Sequence, residues 1–256
     1  MALYSAANVD FGGRYDMRRP PDVWRLDPRI AADAQLTSFY YANNQFDRGH
    51  LTRREDMEYG ATRMQALVSA ADTCHWTNCT PQHAQFNQNK QLWQGIERHL
   101  LEGAVELQSF RAQVITGPIF DAGDPSWSKY PEIQYPVKFW KVVAALTDAG
   151  RLFATANILD QSAVIEKLGI EKAREVPFGV FKTFQVPISE VERLTQLTFN
   201  GGPLKKPFSL TTVDPLASAI LNMPKKPGGR STRALGVDSS PAWRQLDALE
   251  SMTVPS

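Results

Sequence analysis

Asp47-Arg48-Gly49-His50 brings together a permanent cation, a residue without a side chain and an imidazole. Histidine binds a proton with an affinity near neutrality, so it can take one from water. Arginine offers a fork of donors that matches a phosphate. In an extended segment alternate residues share a face, which puts Arg48 and His50 side by side, while Gly49 leaves room for a close approach. Asp47 then points the other way and is expected to anchor backbone. An isolated Arg-Gly-His is most often a surface turn, so the segment needs support from elsewhere in the chain.

That support follows in Thr77-Asn78-Cys79-Thr80-Pro81-Gln82-His83-Ala84-Gln85-Phe86-Asn87-Gln88, an amide-rich loop running into an amphipathic stretch. Asparagine and glutamine usually cap helices or face solvent. An amide oxygen is also a hard, neutral ligand of the kind magnesium accepts while keeping most of its waters. Leu92, Trp93, Ile96, Leu100 and Leu101 recur at helical spacing and predict a helix over 88–106.

Around these segments the chain alternates strand and helix signals. Strands are expected at 3–9, 46–51, 76–80 (ended by Pro81), 112–116, 138–146, 152–159 and 182–186, from their Val, Ile, Phe and Trp content. Helices are expected at 54–71, 189–194, with Ser189 and Glu192 as a capping box, and weakly at 241–252, with a short or irregular one at 35–41. Residues 118–136 read as a long loop. Trp93, Phe139 and Trp140 are expected in the core, and Trp24 reads as packing more readily than as a platform for a base.

Composition sets the outer limits. The 256 residues are 43% hydrophobic and 21% charged, with a formal net charge of +1, so a polyanion partner must be met by a local patch. No apolar run is long enough to cross a bilayer. Met1-Ala2-Leu3-Tyr4 has no basic segment before an apolar one, so no secretory signal is read, and secreted, periplasmic and cytoplasmic sites all stay open. Cys74 and Cys79 are too few for a disulfide scaffold. The nucleophile-elbow, phosphate-loop and dinucleotide glycine patterns are absent.

The ordered set Asp47-Arg48-Gly49-His50 (a DRGH motif), Thr77-Asn78-x-x-Pro81-Gln82, Asn87-Gln88 and Trp93-x-x-x-Glu97 resembles the DNA/RNA non-specific endonucleases, the ββα-metal or His-Me finger group. Thr116-Gly117-Pro118-Ile119-Phe120, Phe139-Trp140-Lys141-Val142 and Phe184-Gln185-Val186-Pro187-Ile188 are similar to that family's later core segments. The resemblance implies an α+β fold, with a central antiparallel sheet flanked by helices and a ββα-metal finger as active site. The nuclease domain would span 1–222, compatible with a missing upstream segment, with a basic Pro/Gly-rich linker and tail over 223–256. It implies a magnesium-dependent endonuclease, with manganese an acceptable substitute, that acts on the DNA and RNA backbone and leaves 5′-phosphate and 3′-hydroxyl ends.

On the resemblance, His50 is the general base, Arg48 stabilises charge on the phosphate, Asn87 is the direct metal ligand, and Glu97 reaches the metal through water. Arg53 and Arg54 would extend a track along the nucleic-acid backbone, with a solvated helix start as their plain alternative. Asn87 and Glu97 lie two residues further apart than is common in the family, so Glu97 serves only if the chain near 89–91 is irregular. An arginine expected on an earlier strand has no match, and Arg14, Arg18 and Arg19 are the candidates to replace it. A homodimer and fusion to a longer N-terminal region are both compatible with the family. Two other readings stand beside this one. The first is a nuclease-like domain impaired in catalysis that binds nucleic acid or a protein partner. The second is a zinc module built on Cys74, His75, Cys79 and His83.

Overall fold

The computed structural model describes residues 1–10, 12–87, 111–147, 149–170, 182–200, 208–221, 243–246 and 251–255. A six-stranded antiparallel sheet forms its centre, built from β1 (Ser5–Asp10), β4 (Arg111–Ile119), β7 (Lys138–Leu146), β8 (Leu152–Asp160), β9 (Lys182–Val186) and β10 (Arg244–Gln245), side by side in that order. Two smaller pairs lie outside it: β2 (Phe46–His50) with β3 (Cys79–His83), and β5 (Ser126–Trp127) with β6 (Tyr130–Gln134). The α-helices among the described residues are α1 (Ser38–Tyr41), α2 (Arg63–Asp72), α3 (Ala84–Asn87), α4 (Ser162–Leu168), α5 (Ile188–Thr195) and α6 (Pro215–Leu221). This is the α+β class expected, with antiparallel sheet and helices.

The two faces of the sheet carry different cores. One face contributes Trp140, Val142, Ala156, Ile158 and Val186, covered by Ile188 and Val191 of α5 and by Phe199. The other contributes Val114, Phe139, Val143 and Leu159, covered by Phe86 of α3, Leu246 and Met252. Alternation along each strand produces this division. Across the second face runs a polar line: Thr116 faces Lys141, Lys141 faces Asn157, and Asn157 faces Gln185 in successive strand pairs. All four are almost fully buried.

Several local expectations change in the folded chain. Pro81 sits inside β3, because its carbonyl points away from β2 and accepts from Gln161 Nε2 at 3.3 Å; in a two-stranded pair the missing N–H costs no ladder bond there. The helix expected over 54–71 splits into a 3₁₀ turn at Arg54–Met57 and α2. Glu58 ends the first and Thr62 starts the second: the Thr62 hydroxyl accepts from Gln65 N, while Gln65 Oε1 accepts from Ala61 N. The Ser189–Glu192 capping box does not form. Pro187 is the N-cap of α5, and the first-turn amide of Ile188 donates instead to the distant Asp214 carboxylate at 2.8 Å. Residues 118–136 contain the β5–β6 hairpin, and Arg244–Gln245 is a strand on β9 where a weak helix was expected. The helix expected over 88–106, with Trp93 and Glu97, lies outside the described residues, as does the basic stretch 224–233.

Candidate active site on the β2–β3 pair

Everything singled out for chemistry lies in the long excursion between β1 and β4. Its frame is β2 against β3, with Asp47 opposite Gln82, Arg48 opposite Pro81, Gly49 opposite Thr80 and His50 opposite Cys79. β3 runs directly into α3, which ends at Asn87. The fully buried Gln161 fastens this pair to the main sheet: its Oε1 accepts from His83 N at 2.8 Å, and its Nε2 also donates to Pro136 O at 2.9 Å. Asn78 closes the loop before β3. It accepts from Thr52 N and donates to the carbonyls of Thr52 and Thr73, which ties three segments together.

Gly49 is required by packing. A Cβ there would come closer than 3 Å to the side chain of Gln82, which is fully buried and has nowhere to move. Gly49→Ala is therefore expected to destabilise the protein by about 1–3 kcal/mol, measured as a lowered midpoint in thermal or urea unfolding. An unchanged midpoint would show that Gln82 can be displaced without penalty.

Arg48 and His50 do share a face, as strand alternation requires. Trp24 packs against the His50 ring with centroids 4.7 Å apart and against Trp76 at 5.2 Å. The exposed Arg48 places its guanidinium 5.9 Å from the Trp24 ring centre and 5.8 Å from that of Trp76. Stacked in this way, the cation keeps its charge and gains about 0.5–1 kcal/mol per exposed contact. Trp24 is delivered by the 14–30 loop, which bonds alongside 74–76: Arg25 N donates to Cys74 O and Trp76 N to Arg25 O. Packing, the preferred reading of Trp24, accounts for these contacts.

Toward the interior, His50 Nε2 lies 3.8 Å from Cys74 Sγ. Burial holds the His50 imidazole down at about 4, helped by the positive charges of Arg19 and Arg54 and opposed by Asp22. The ring is thus neutral at neutral pH, the state a general base needs. Of the three arginines considered as substitutes for a missing upstream one, Arg19 acts on His50; it donates to Asp22 Oδ2 at 2.7 Å, while Arg14 pairs with Glu58 at 3.7 Å.

Asn87 turns to the other side of β2. Its Nδ2 donates to Asp47 Oδ2 at 3.0 Å. Asp47 thus holds a side chain where a backbone anchor was expected. A carboxylate can only accept here, so the amide nitrogen is fixed toward Asp47 and the amide oxygen is the atom left for a hard cation. That donor set fits magnesium.

Arg53 and Arg54 are both buried. Arg53 pairs with Glu55 at 2.9 Å and Asp56 at 3.2 Å; Arg54 lies 3.6 Å from Asp22 and donates to Cys74 Sγ at 3.8 Å. Their charge serves the inside of the fold, and of the three arginines Arg48 is the exposed one. Glu97 lies outside the described residues. The four-residue zinc module does not assemble: both cysteines are free, His75 Nδ1 meets Asp72 O, His83 Nδ1 accepts from Gln85 N, and Cys79 pairs with the Tyr41 hydroxyl. Asp22 and Cys74 are the neighbours of His50 that local pattern reading passes over. They lie 28 and 24 positions away, and no spacing rule connects them to it.

With this geometry in hand, known proteins can be compared. The family model described as DNA/RNA non-specific endonuclease matches residues 1–206. The "Uncharacterized protein y4fB" of Sinorhizobium fredii (strain NBRC 101917 / NGR234) is 35% identical over 210 residues, which is 78% of this chain and 30% of that protein. The chain therefore spans less than a third of the length of this relative. Among solved structures, a chain from the crystal structure of the EndoG/EndoGI complex, titled for the mechanism of EndoG inhibition, superposes with a TM-score of 0.55 at 18% identity, covering 77% of each chain. That likeness concerns the fold.

Proposed function

Because the chain belongs to the DNA/RNA non-specific endonuclease family, we propose that it hydrolyses phosphodiester bonds of DNA and RNA without sequence preference, with His50 as general base and Asn87 as the protein ligand of one magnesium ion. The observation that carries this reading is the β2–β3–α3 unit, which sets Arg48, His50 and Asn87 on one short frame. In the proposed step a water oxygen attacks phosphorus, His50 takes its proton, and the bond to the 3′-oxygen breaks. The ends left are a 5′-phosphate and a 3′-hydroxyl, the leaving oxygen being protonated from solvent. Arg48 faces the non-bridging oxygens, and its stacked position fixes the fork before substrate arrives. Arg19 adds a second positive charge beside His50.

When bound at the Asn87 oxygen, magnesium supplies charge neutralisation at the leaving oxygen; manganese, with a similar preference for oxygen ligands, is expected to substitute. Glu97 is proposed to orient water on that ion. The roles also set a conformational demand: His50 must swing its ring away from Cys74 to meet a phosphate shared with Asn87, a step between staggered rotamers. Contacts to phosphate and sugar carry no base information, which accounts for the lack of sequence preference.

The direct test is incubation of the protein with plasmid, single-stranded DNA and RNA, with magnesium or with EDTA. Cleavage of all three that EDTA stops is the expected result. Binding of nucleic acid without any cleavage would favour the impaired, binding-only reading.

A further inference from the structure

A cluster of side chains unlike that at Asn87 surrounds the His50 ring. Among the described residues, one group of metal-ligating side chains converges: Asp22, His50 and Cys74, whose donor atoms lie within 4.8 Å of one another. We infer that these three residues bind a borderline-soft divalent ion, zinc above all, and that an ion held there locks His50 away from the phosphate.

The geometry is close to what zinc requires. Tetrahedral bonds of about 2.3 Å to sulfur and about 2.0 Å to nitrogen put those two donors about 3.5 Å apart. The observed separation of His50 Nε2 and Cys74 Sγ is 3.8 Å, so a shift of a few tenths of an ångström closes that edge, and the Asp22 carboxylate, within 4.8 Å of both, moves in to complete the site. Asp22 supplies the oxygen. Its Oδ2 is occupied by Arg19, whereas Oδ1 is buried, makes no hydrogen bond and has Arg54 Nη1 as an ionic neighbour at 3.6 Å, which an incoming cation would replace. Asp22 is also the rim of the site, 23% exposed at its side chain, which gives an ion a way in past the buried Cys74. Burial and the Asp22 carboxylate hold the Cys74 thiol above its usual value, while Arg54 Nη1, which donates to the sulfur, works the other way; a bound divalent ion would displace the proton.

Binding is a simple exchange. The S–H bond of Cys74 breaks, the S–metal bond forms, the proton leaves to buffer, and the neutral His50 gives its Nε2 lone pair. A water completes the tetrahedron. Magnesium does not compete, because it demands octahedral oxygen ligands and binds thiolate and imidazole poorly. Strand β2 would thus separate two ion sites by hardness: the amide oxygen of Asn87 beside Asp47 on one side, and the imidazole, thiolate and carboxylate on the other. The ion site stands on its own geometry; its consequence for cleavage rests on the role proposed for His50.

Cobalt(II) is the probe, since it takes zinc sites and reports a thiolate ligand by charge-transfer absorption in the near ultraviolet. Titrating the full, metal-free chain with cobalt should give that band and visible tetrahedral bands at one equivalent, both bleached by one equivalent of zinc. Cys74→Ser should abolish the charge-transfer band. Asp22→Asn, a change at the partly exposed rim, should weaken binding at least about tenfold, as removal of metal-site partners does. Zinc added at micromolar concentration against millimolar magnesium should stop cleavage by the unmodified chain, and Cys74→Ser should need much more zinc for the same loss relative to its own zinc-free rate. Absence of the thiolate band, or its survival in Cys74→Ser through Cys79, overturns the site. Cobalt binding as described in a chain that never cleaves nucleic acid under any condition would leave the ion site standing and remove the nuclease reading.

Discussion

Replacing His50 with alanine is expected to lower cleavage of both DNA and RNA by about 10²–10⁴-fold, the range that a positioned general base contributes, without unfolding the protein. The fold should survive because His50 sits at the edge of the aromatic group, touching Trp24 and Cys74, while the sheet core is built elsewhere. The loss should appear in kcat for both substrates, with circular dichroism unchanged. Wild-type rates in this variant would remove His50 from the chemistry.

On the proposed role of His50, the unmodified chain should also show a displaced acid limb. Burial holds His50 down at about 4, so kcat/KM should fall toward that pH and not near the ordinary imidazole value of about 6.5. The same shift bears on stability. On acidification the unfolded chain protonates this histidine first, near its ordinary value, whereas the folded chain resists until about 4. His50 therefore withdraws stability as pH falls through that window, and the alanine variant should lose less stability across it than the parent.

Asn87→Ala is the second large effect. Removing the amide oxygen should raise the magnesium concentration for half-maximal cleavage at least about tenfold, while affinity for nucleic acid measured in EDTA changes little. Asn87→Asp should behave differently. It restores a hard oxygen but sets a second carboxylate beside Asp47, at a position where the amide now donates across 3.0 Å. Two like charges so close favour an intervening cation, so this variant should bind magnesium more tightly than the parent. An unaltered magnesium requirement in Asn87→Ala would place the ion elsewhere.

The central sheet was legible because its strands are locally consistent. Lys138–Leu146 and Leu152–Asp160 are dense in β-branched and aromatic residues and turn at Gly150, which adopts a positive φ. The fold departs from expectation where a distant group wins over a local one. Asp214 caps α5 from 26 positions away, so Ser189 is not needed. Pro81 stays within its strand because Gln161, 80 positions on, takes its carbonyl. The site divides in the same way. The shared face of Arg48 and His50 follows from the two-residue period of a strand, which is local. That Arg53 and Arg54 turn inward, that Asp47 holds Asn87, and that Asp22 and Cys74 meet His50 depend on how loops separated by tens of residues are laid together, and composition carries no record of that.

The polar line through Thr116, Lys141, Asn157 and Gln185 has a consequence for how this chain finds its fold. Apolar strands of similar length can slide past one another and still bury oil against oil. Here four neighbouring strands each set a buried polar side chain at one shared level. A slip by one residue would drive Lys141 in among Trp140, Val142, Ala156 and Ile158 on the opposite face; a slip by two between β4 and β7 would set it against Val114 and part it from Thr116. Burying a lone ammonium or amide costs several kcal/mol, enough to make such misaligned sheets sparse. The line thus acts as an alignment mark, and because Gln161 hangs the β2–β3 pair from this sheet, it also fixes where His50 and Asn87 come to rest.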